Sequence, residues 1–195
     1  MNRSKRGQAS GSSSTSTFFT DLDFDMEEHR FQSALKDHPE HARILGLIAD
    51  TCNLIERVLC EAVAMALSLT DEQVESFYYS LGASRAHFDV ATGVIGRFVQ
   101  PDASRDQYLA QIDIARRLFR RRNAMVHNIW DSRRSVVGIL DFREPPDSRS
   151  RARPISTTEM EKLLFELEDC LNAIIDISIF VSAWQPSHDR SQAPP

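Results

Sequence analysis

Cysteine, glycine and proline are scarce in this chain, and each shortage excludes a class of protein. Among 195 residues there are 3 cysteines, 7 glycines and 8 prolines. Cys52, Cys60 and Cys170 are odd in number and widely spaced, so they suit neither a disulfide framework nor a zinc site. We therefore expect small core residues in a reducing compartment. Because helix-breaking residues are few, long uninterrupted helices are expected.

Long hydrophobic runs and secretion signals are also missing. The N-terminus is basic, but a Gly/Ser/Thr stretch stands where a signal peptide needs an apolar core. The most hydrophobic segment, residues 163–184, is interrupted by too many acidic side chains for a membrane span. The sequence thus predicts a cytoplasmic protein without membrane contact.

Motifs for common cofactors and metals are absent as well. The chain has no GxxxxGK[ST] loop, no GxSxG elbow, no HExxH and no paired CxxC. His38, Glu40 and His41 lack the spacing that puts two imidazoles on one helix face, so neither a metal nor a cofactor is predicted. His87 and Asp89 are two residues apart, on different faces of a predicted helix, and are expected at the surface.

Apolar residues that recur at spacings of three and four predict a single all-α domain. The predicted helices are 26–36, 40–68, 71–81, 85–99, one from near 102 to 130, and 157–183. Alternating β-branched residues and a Pro- and Arg-rich loop predict a hairpin or flap across 134–155. The domain is predicted to span 26–184, between disordered tails at 1–25 and 185–195. The fold class is an up-and-down helical bundle with a small hairpin insertion before the last helix.

Positive charge is scarce overall but concentrated in one predicted helix. The net charge of −5 argues against a surface coated with positive charge for nonspecific nucleic-acid binding. Residues 112–130, IDIARRLFRRRNAMVHNIW, nevertheless contain five arginines and one aspartate. Wound as one helix, they form an apolar stripe with Arg122 in its middle, flanked by a polar row of Arg116, Arg120, Asn123 and His127. An arginine within an apolar stripe is the kind of conflict that marks functional sites.

Structural explanations for these residues stay open at this point. Arginine-rich helices are usually solvated, and a histidine at the edge of an apolar face is usually structural. Arg122 could reach past the core to an acidic partner such as Glu56 or Asp113, or it could lie in a dimer seam. A pair between Glu56 and Arg122 would orient the guanidinium, which gives Glu56 a supporting role in our hypothesis.

The hexapeptide RNAMVH, Arg122 to His127, resembles the RNxxxH form of the Rx4–6H motif of HEPN domains. These are helical domains of many prokaryotic toxin, abortive-infection and RNA-processing proteins. The resemblance covers about residues 40–183 and includes the late position of the motif helix. It implies a HEPN-like bundle with metal-independent endoribonuclease activity at a composite dimer site. It also implies that Arg122 and His127 are essential and that Asn123 supports them.

The chemistry of RNA cleavage needs the residue types found here. Imidazole, with an unperturbed pKa of about 6.5, acts as base or acid near neutral pH. A guanidinium stays protonated and offers a planar fork to phosphate oxygens. His127, Arg122 and Asn123 are therefore the predicted catalytic residues. Arg116, Arg120 and Arg121 are predicted to contact RNA.

The motif supplies one histidine, whereas the reaction needs both an acid and a base. A two-fold homodimer would bring two motif helices to one phosphate. Many HEPN proteins pair with a nucleotidyltransferase antitoxin, so such a partner and a role as toxin or defence effector follow from the resemblance.

Two other functions remain as alternatives. In one, the chain is a noncatalytic helical module that uses the same basic row to bind RNA, a nucleotide or a partner protein. In the other, it is a regulatory or structural helical dimer that resembles the mannitol-repressor group of bundles.

Overall fold

A computed structural model describes residues 34–131, 137–140 and 153–189 of the protein. After a single 3-10 turn, Ala34–Asp37, the described residues form five helices: α1 (Pro39–Leu67), α2 (Asp71–Tyr79), α3 (Ser84–Phe98), α4 (Asp102–Val126) and α5 (Thr157–Asp189). Three short strands complete the fold: β1 (Ile129–Asp131), β2 (Gly138–Leu140) and β3 (Arg153–Pro154). The predicted all-α bundle with a small hairpin is confirmed.

Helix α1 is the longest fully described member of the core. Pro39 opens it, where a missing backbone N–H costs no helical hydrogen bond, and Ser68 ends it with a left-handed φ of 54°. Its buried residues recur at three- and four-residue spacings: Ile44, Ile48, Cys52, Ile55 and Leu59. This is the stripe that the sequence predicts, and each fully buried aliphatic side chain contributes about 1.5–3 kcal/mol to folding.

The helices α1 and α5 run in the same direction, and α4 runs against them. His41, near the start of α1, approaches the carbonyl of Ile155 just before α5, with Nε2 3.3 Å from that oxygen. Near the far ends, Ser182 donates to the sulfur of Met65 at 3.2 Å. Helix α4 is antiparallel to α5, since the hydroxyls of Tyr108 and Ser178 meet at 2.7 Å while Arg121 pairs with Glu166.

Local signals set the short helices α2 and α3. A capping box opens α2: the Thr70 hydroxyl accepts from the backbone of Gln73, and the Gln73 side chain accepts from the backbone of Thr70. Gly82 follows with a φ of +66°, which glycine adopts without steric cost. Helix α3 then begins at Ser84, one residue before its predicted start at 85, and its N-cap is Ala83.

The sequence predicts that one helix continues to Trp130, and this prediction is wrong. Helix α4 ends at Val126, four residues earlier. Two side chains take the terminal carbonyls that a longer helix would use: the Asn128 amide donates to Ala124 at 2.7 Å, and the Trp130 indole donates to Met125 at 2.9 Å. Trp130 then pairs with Ile139 in the sheet. Tertiary pairing with β2 therefore overrides the helical periodicity of these residues.

The three strands form one antiparallel sheet in the order β1-β2-β3. Ile129 pairs with Leu140 in one ladder, and Gly138 pairs with Pro154 in the other. Beyond the ladder, the Ile155 N–H donates to the Val137 carbonyl at 3.0 Å. The hairpin predicted across 134–155 is present in its described residues, as β2 and β3. The third strand of the sheet, β1, includes residues that the sequence predicts as the end of a helix.

The predicted tail at 1–25 and most of the predicted helix 26–36 lie outside the described residues. At the other terminus, α5 continues to Asp189, beyond the predicted tail boundary at 185. Polar composition alone does not end a helix, so the predicted tail boundary lies inside α5. None of the described helices combines the length and apolar content that a bilayer crossing requires.

Tyr78 and Tyr108 are both fully buried, each 0% exposed, but they differ in the hydrogen bonding of their hydroxyl groups. The Tyr108 hydroxyl bonds Ser178, whose hydroxyl also donates to the Ile174 carbonyl. The Tyr78 hydroxyl has no hydrogen-bond partner among the described residues. Phenylalanine at each position therefore tests what that contact contributes.

Tyr108→Phe should lower the free energy of unfolding by about 0.5–1.5 kcal/mol, the net value of a typical hydrogen bond. Tyr78→Phe removes a buried hydroxyl without a described partner, so stability should be unchanged or higher. Urea denaturation followed by circular dichroism measures both. Equal destabilisation by the two substitutions would contradict this assignment.

Burial raises the pKa of all three free thiols: to about 12 for Cys52, where the nearby Arg122 charge partly opposes the shift, and to about 11 for Cys60 and Cys170. The fold thus favours the protonated thiol. This stabilisation is complete below the unfolded pKa of about 8.5 and is lost as pH rises through the folded values.

We expect native thiols to react slowly with a disulfide reagent at a pH of about 8, and all three to react at once in denaturant. Stability should also fall as pH is raised above about 9, and Cys52→Ala should reduce that fall. Fast reaction of the native thiols would show that the folded pKa values are not raised.

Candidate functional site

The predicted catalytic residues lie in the last turn of α4 and at its C-cap. Arg122 is half-buried, and its Nε is a buried atom without a hydrogen-bond partner among the described residues. Its charge lowers the pKa of Cys52 on α1, against the larger effect of burial. Arg122 is thus partly buried, as its predicted position within the apolar stripe suggests.

Asn123 and His127 follow on the solvent side of the same turn. Arg122 donates from Nη1 to Oδ1 of Asn123 at 3.0 Å. His127 is exposed and is the C-cap residue, and its backbone N–H still donates to the Asn123 carbonyl at 3.1 Å. The side chains of Asn123 and His127 form no hydrogen bond with each other. The amide oxygen instead contacts the guanidinium of Arg122.

Arg116, two turns earlier, is tied to α3. Its Nη2 donates to Oδ1 of Asp89 at 2.9 Å and to the Thr92 hydroxyl at 3.0 Å. Its guanidinium carbon also lies 5.9 Å from the centre of the Phe88 ring, which permits a cation–π contact. These contacts fix Arg116 in one position, and one carboxylate neutralises much of its charge.

Arg120 lies beside Arg116 and completes a groove between α3 and α4. This α3–α4 groove has a volume of about 340 Å³. Its lining includes Arg85, Phe88, Arg116, Phe119, Arg120 and Asn123. Three of the four residues in the predicted polar row, Arg116, Arg120 and Asn123, thus line one groove, and His127 follows at the helix end. Arg85 was missed because its proximity to α4 depends on how α3 packs.

Arg121, also predicted to contact RNA, points to another part of the fold. It forms an ion pair with Glu166 on α5 and lines a cleft between α4 and α5. Helices α4 and α5 are antiparallel, and this arrangement places Glu166 of α5 beside Arg121 of α4. Arg121 is therefore separated from the polar row and already has a counter-charge.

Glu56 does not pair with Arg122, and the proposed contact is wrong. Its Oε1 instead lies 3.5 Å from Nδ1 of His87. Glu56 lies one turn beyond Cys52 on the same face of α1, at the level where His87 of α3 packs against that helix. A partner on a third helix could not be identified from the spacing within α1.

His87 is buried, 6% exposed, so its expected surface position is also wrong. Its ring stacks on Tyr78 with centroids 4.6 Å apart. Neither ring nitrogen has a hydrogen-bond partner in the described part of the chain, and the same holds for Oε1 of Glu56. Asp89 is exposed, as expected, and it pairs with Arg116. The aromatic stack explains why an imidazole occurs on the buried face of α3.

The arrangement joins an imidazole at the protein surface to a fixed guanidinium and a basic groove. Within the described residues, no three His, Cys, Asp or Glu side chains cluster in a way that could hold a metal ion. The donor groups that are present suit a phosphate: guanidinium N–H groups, an amide and an imidazole.

Comparisons with protein-family models, with curated proteins and with solved structures found no match to this chain.

Proposed function

We propose that the protein is a metal-independent endoribonuclease of the HEPN type that acts as a toxin or defence effector. The observation that carries the proposal is the Arg122–Asn123 contact, one helical turn before an exposed His127 at the end of α4. The contact places the guanidinium beside the amide, while the imidazole remains accessible to a substrate.

The proposed reaction is an internal transfer at one phosphodiester of RNA. The 2′-oxygen attacks phosphorus as a base removes its proton, the P–O5′ bond breaks, and the departing 5′-oxygen takes up a proton. The products are a 2′,3′-cyclic phosphate and a 5′-hydroxyl. His127 serves as the base, and Arg122 stabilises the added negative charge on the phosphate. Asn123 positions Arg122 through its amide oxygen.

The acid that protonates the 5′-oxygen requires a second group. A two-fold dimer through the C-terminal part of α4 supplies it, because the same residues of a second copy then face the same phosphate. We therefore include a homodimer in the proposal. A nucleotidyltransferase-type antitoxin is the proposed protein partner, on the HEPN resemblance alone.

The α3–α4 groove favours a second candidate, a noncatalytic module that binds RNA or a nucleotide. Three of its lining residues are arginines, and the acidic residue Asp89 pairs with two of them, Arg116 and Arg85. Such a module needs positive charge more than it needs an imidazole. The two functions thus predict opposite rankings of the same substitutions.

Expression of the wild type should arrest growth and produce new RNA fragments on a gel. His127→Ala and Arg122→Ala should each restore growth, because loss of a general base or of phosphate stabilisation slows such reactions by about 10²- to 10⁴-fold. The rate of RNA cleavage by purified protein measures the same effect directly.

Arg117→Ala is the matched control, since Arg117 is an exposed arginine of α4 that lines the α4–α5 cleft. It should arrest growth as the wild type does. Arg116→Ala should weaken the effect less than His127→Ala. If Arg116→Ala were the more damaging substitution and His127→Ala were silent, the catalytic assignment would be wrong and the binding module would be the better account.

A further inference from the structure

The α3–α4 groove has features that the cleavage reaction itself does not use. Arg122 and His127 are assigned to the reacting phosphate, but Arg85, Arg116 and Arg120 lie along α3 and the preceding turns of α4. Asn123 belongs to both places, because it lines the groove and accepts from Arg122. A strand that reached Arg122 could therefore continue into the groove.

The groove carries an excess of positive charge. Asp89 is the carboxylate that meets its arginines: it lies 2.9 Å from Arg116 and 3.9 Å from Arg85. Arg120 is exposed and forms no ion pair with a described residue. Three guanidiniums thus share one described carboxylate, and the excess favours an anion.

The first turn of α3 adds donors at the same place. Its N-cap, Ala83, has no side chain that could accept from the helix, and the first helical bonds to the Ala83 carbonyl come from Ala86 and His87. Ser84 and Arg85, which both line the groove, therefore present backbone N–H groups outside the helical bonding pattern. The positive end of the helix dipole supports an anion here, in addition to the arginines.

Size and shape favour one nucleotide of a single strand. The groove, at about 340 Å³, is near the lower end of the range for small-molecule sites. Phe88 and Phe119 are perpendicular to each other, with ring centres 4.8 Å apart, and form the apolar part of the lining. Because both rings are almost fully buried, 2% and 4% exposed, the accessible part of the lining consists mainly of guanidinium and amide groups, which suit a phosphate of a strand.

We propose that the α3–α4 groove is a phosphate subsite that holds the nucleotide next to the scissile phosphate of single-stranded RNA, with Arg85 and Arg120 as its phosphate-binding residues. The identity of the neighbouring reactive phosphate rests on the proposed function, but binding to the groove does not require cleavage.

The test uses the full chain with His127→Ala, so that RNA stays intact, and a short labelled single-stranded RNA followed by fluorescence anisotropy. Adding Arg85→Ala or Arg120→Ala should weaken binding about fourfold near 0.15 M salt. Each should also reduce the slope of log affinity against log salt by about 0.7, the value for one lost phosphate contact on a single strand. Arg85 has a side chain that is 91% exposed, so its removal does not disturb the core.

Arg117→Ala in the same background is the control, and it should change neither the affinity nor the slope. Equal weakening by Arg117→Ala would overturn the subsite and leave only diffuse attraction to positive charge. So would unchanged binding in the two groove variants, even if the wild type cleaves RNA. If the wild type leaves RNA uncut but binding depends on Arg85 and Arg120, the nuclease proposal fails and the subsite stands as a binding site.

Discussion

Helix α4 buries one face against α1, α3 and α5 at once, and this packing decides where each of its polar side chains can go. Ile112, Ala115 and Leu118 lie on the buried face, which leaves the arginines to find partners around it. Arg116 reaches Asp89 on α3, and Arg121 reaches Glu166 on α5. Both arginines thereby join helices, so the charge of α4 contributes to the arrangement of the bundle as well as to its surface.

The place where α4 stops gives the candidate site its form. A continuous helix would carry Trp130 onward in the apolar stripe, but Trp130 instead closes over the Met125 carbonyl and enters the sheet. His127 becomes the boundary residue, with its imidazole at the surface. The motif thus combines a half-buried arginine within the last turn of α4 with an exposed histidine at the end of that helix.

Helix positions followed from the sequence because apolar periodicity and capping residues are local signals. The stripe of α1 and the Thr70–Gln73 capping box are examples. Contacts between helices did not follow, since they depend on rotation and register: Glu56 meets His87 and not Arg122. The polar row of α4 could be predicted from spacing alone, whereas the contribution of Arg85 to the groove could not.

Cleavage chemistry is the central claim, and the ends of the RNA fragments test it most directly. Purified protein would be incubated in a metal chelator with a single-stranded RNA and with the same sequence carrying 2′-deoxyribose at every position. We predict that the RNA is cut, leaving 2′,3′-cyclic phosphate and 5′-hydroxyl ends, and that the deoxy strand stays intact. Loss of cleavage in the chelator, fragments with 5′-phosphate ends, or equal cutting of both strands would contradict the account.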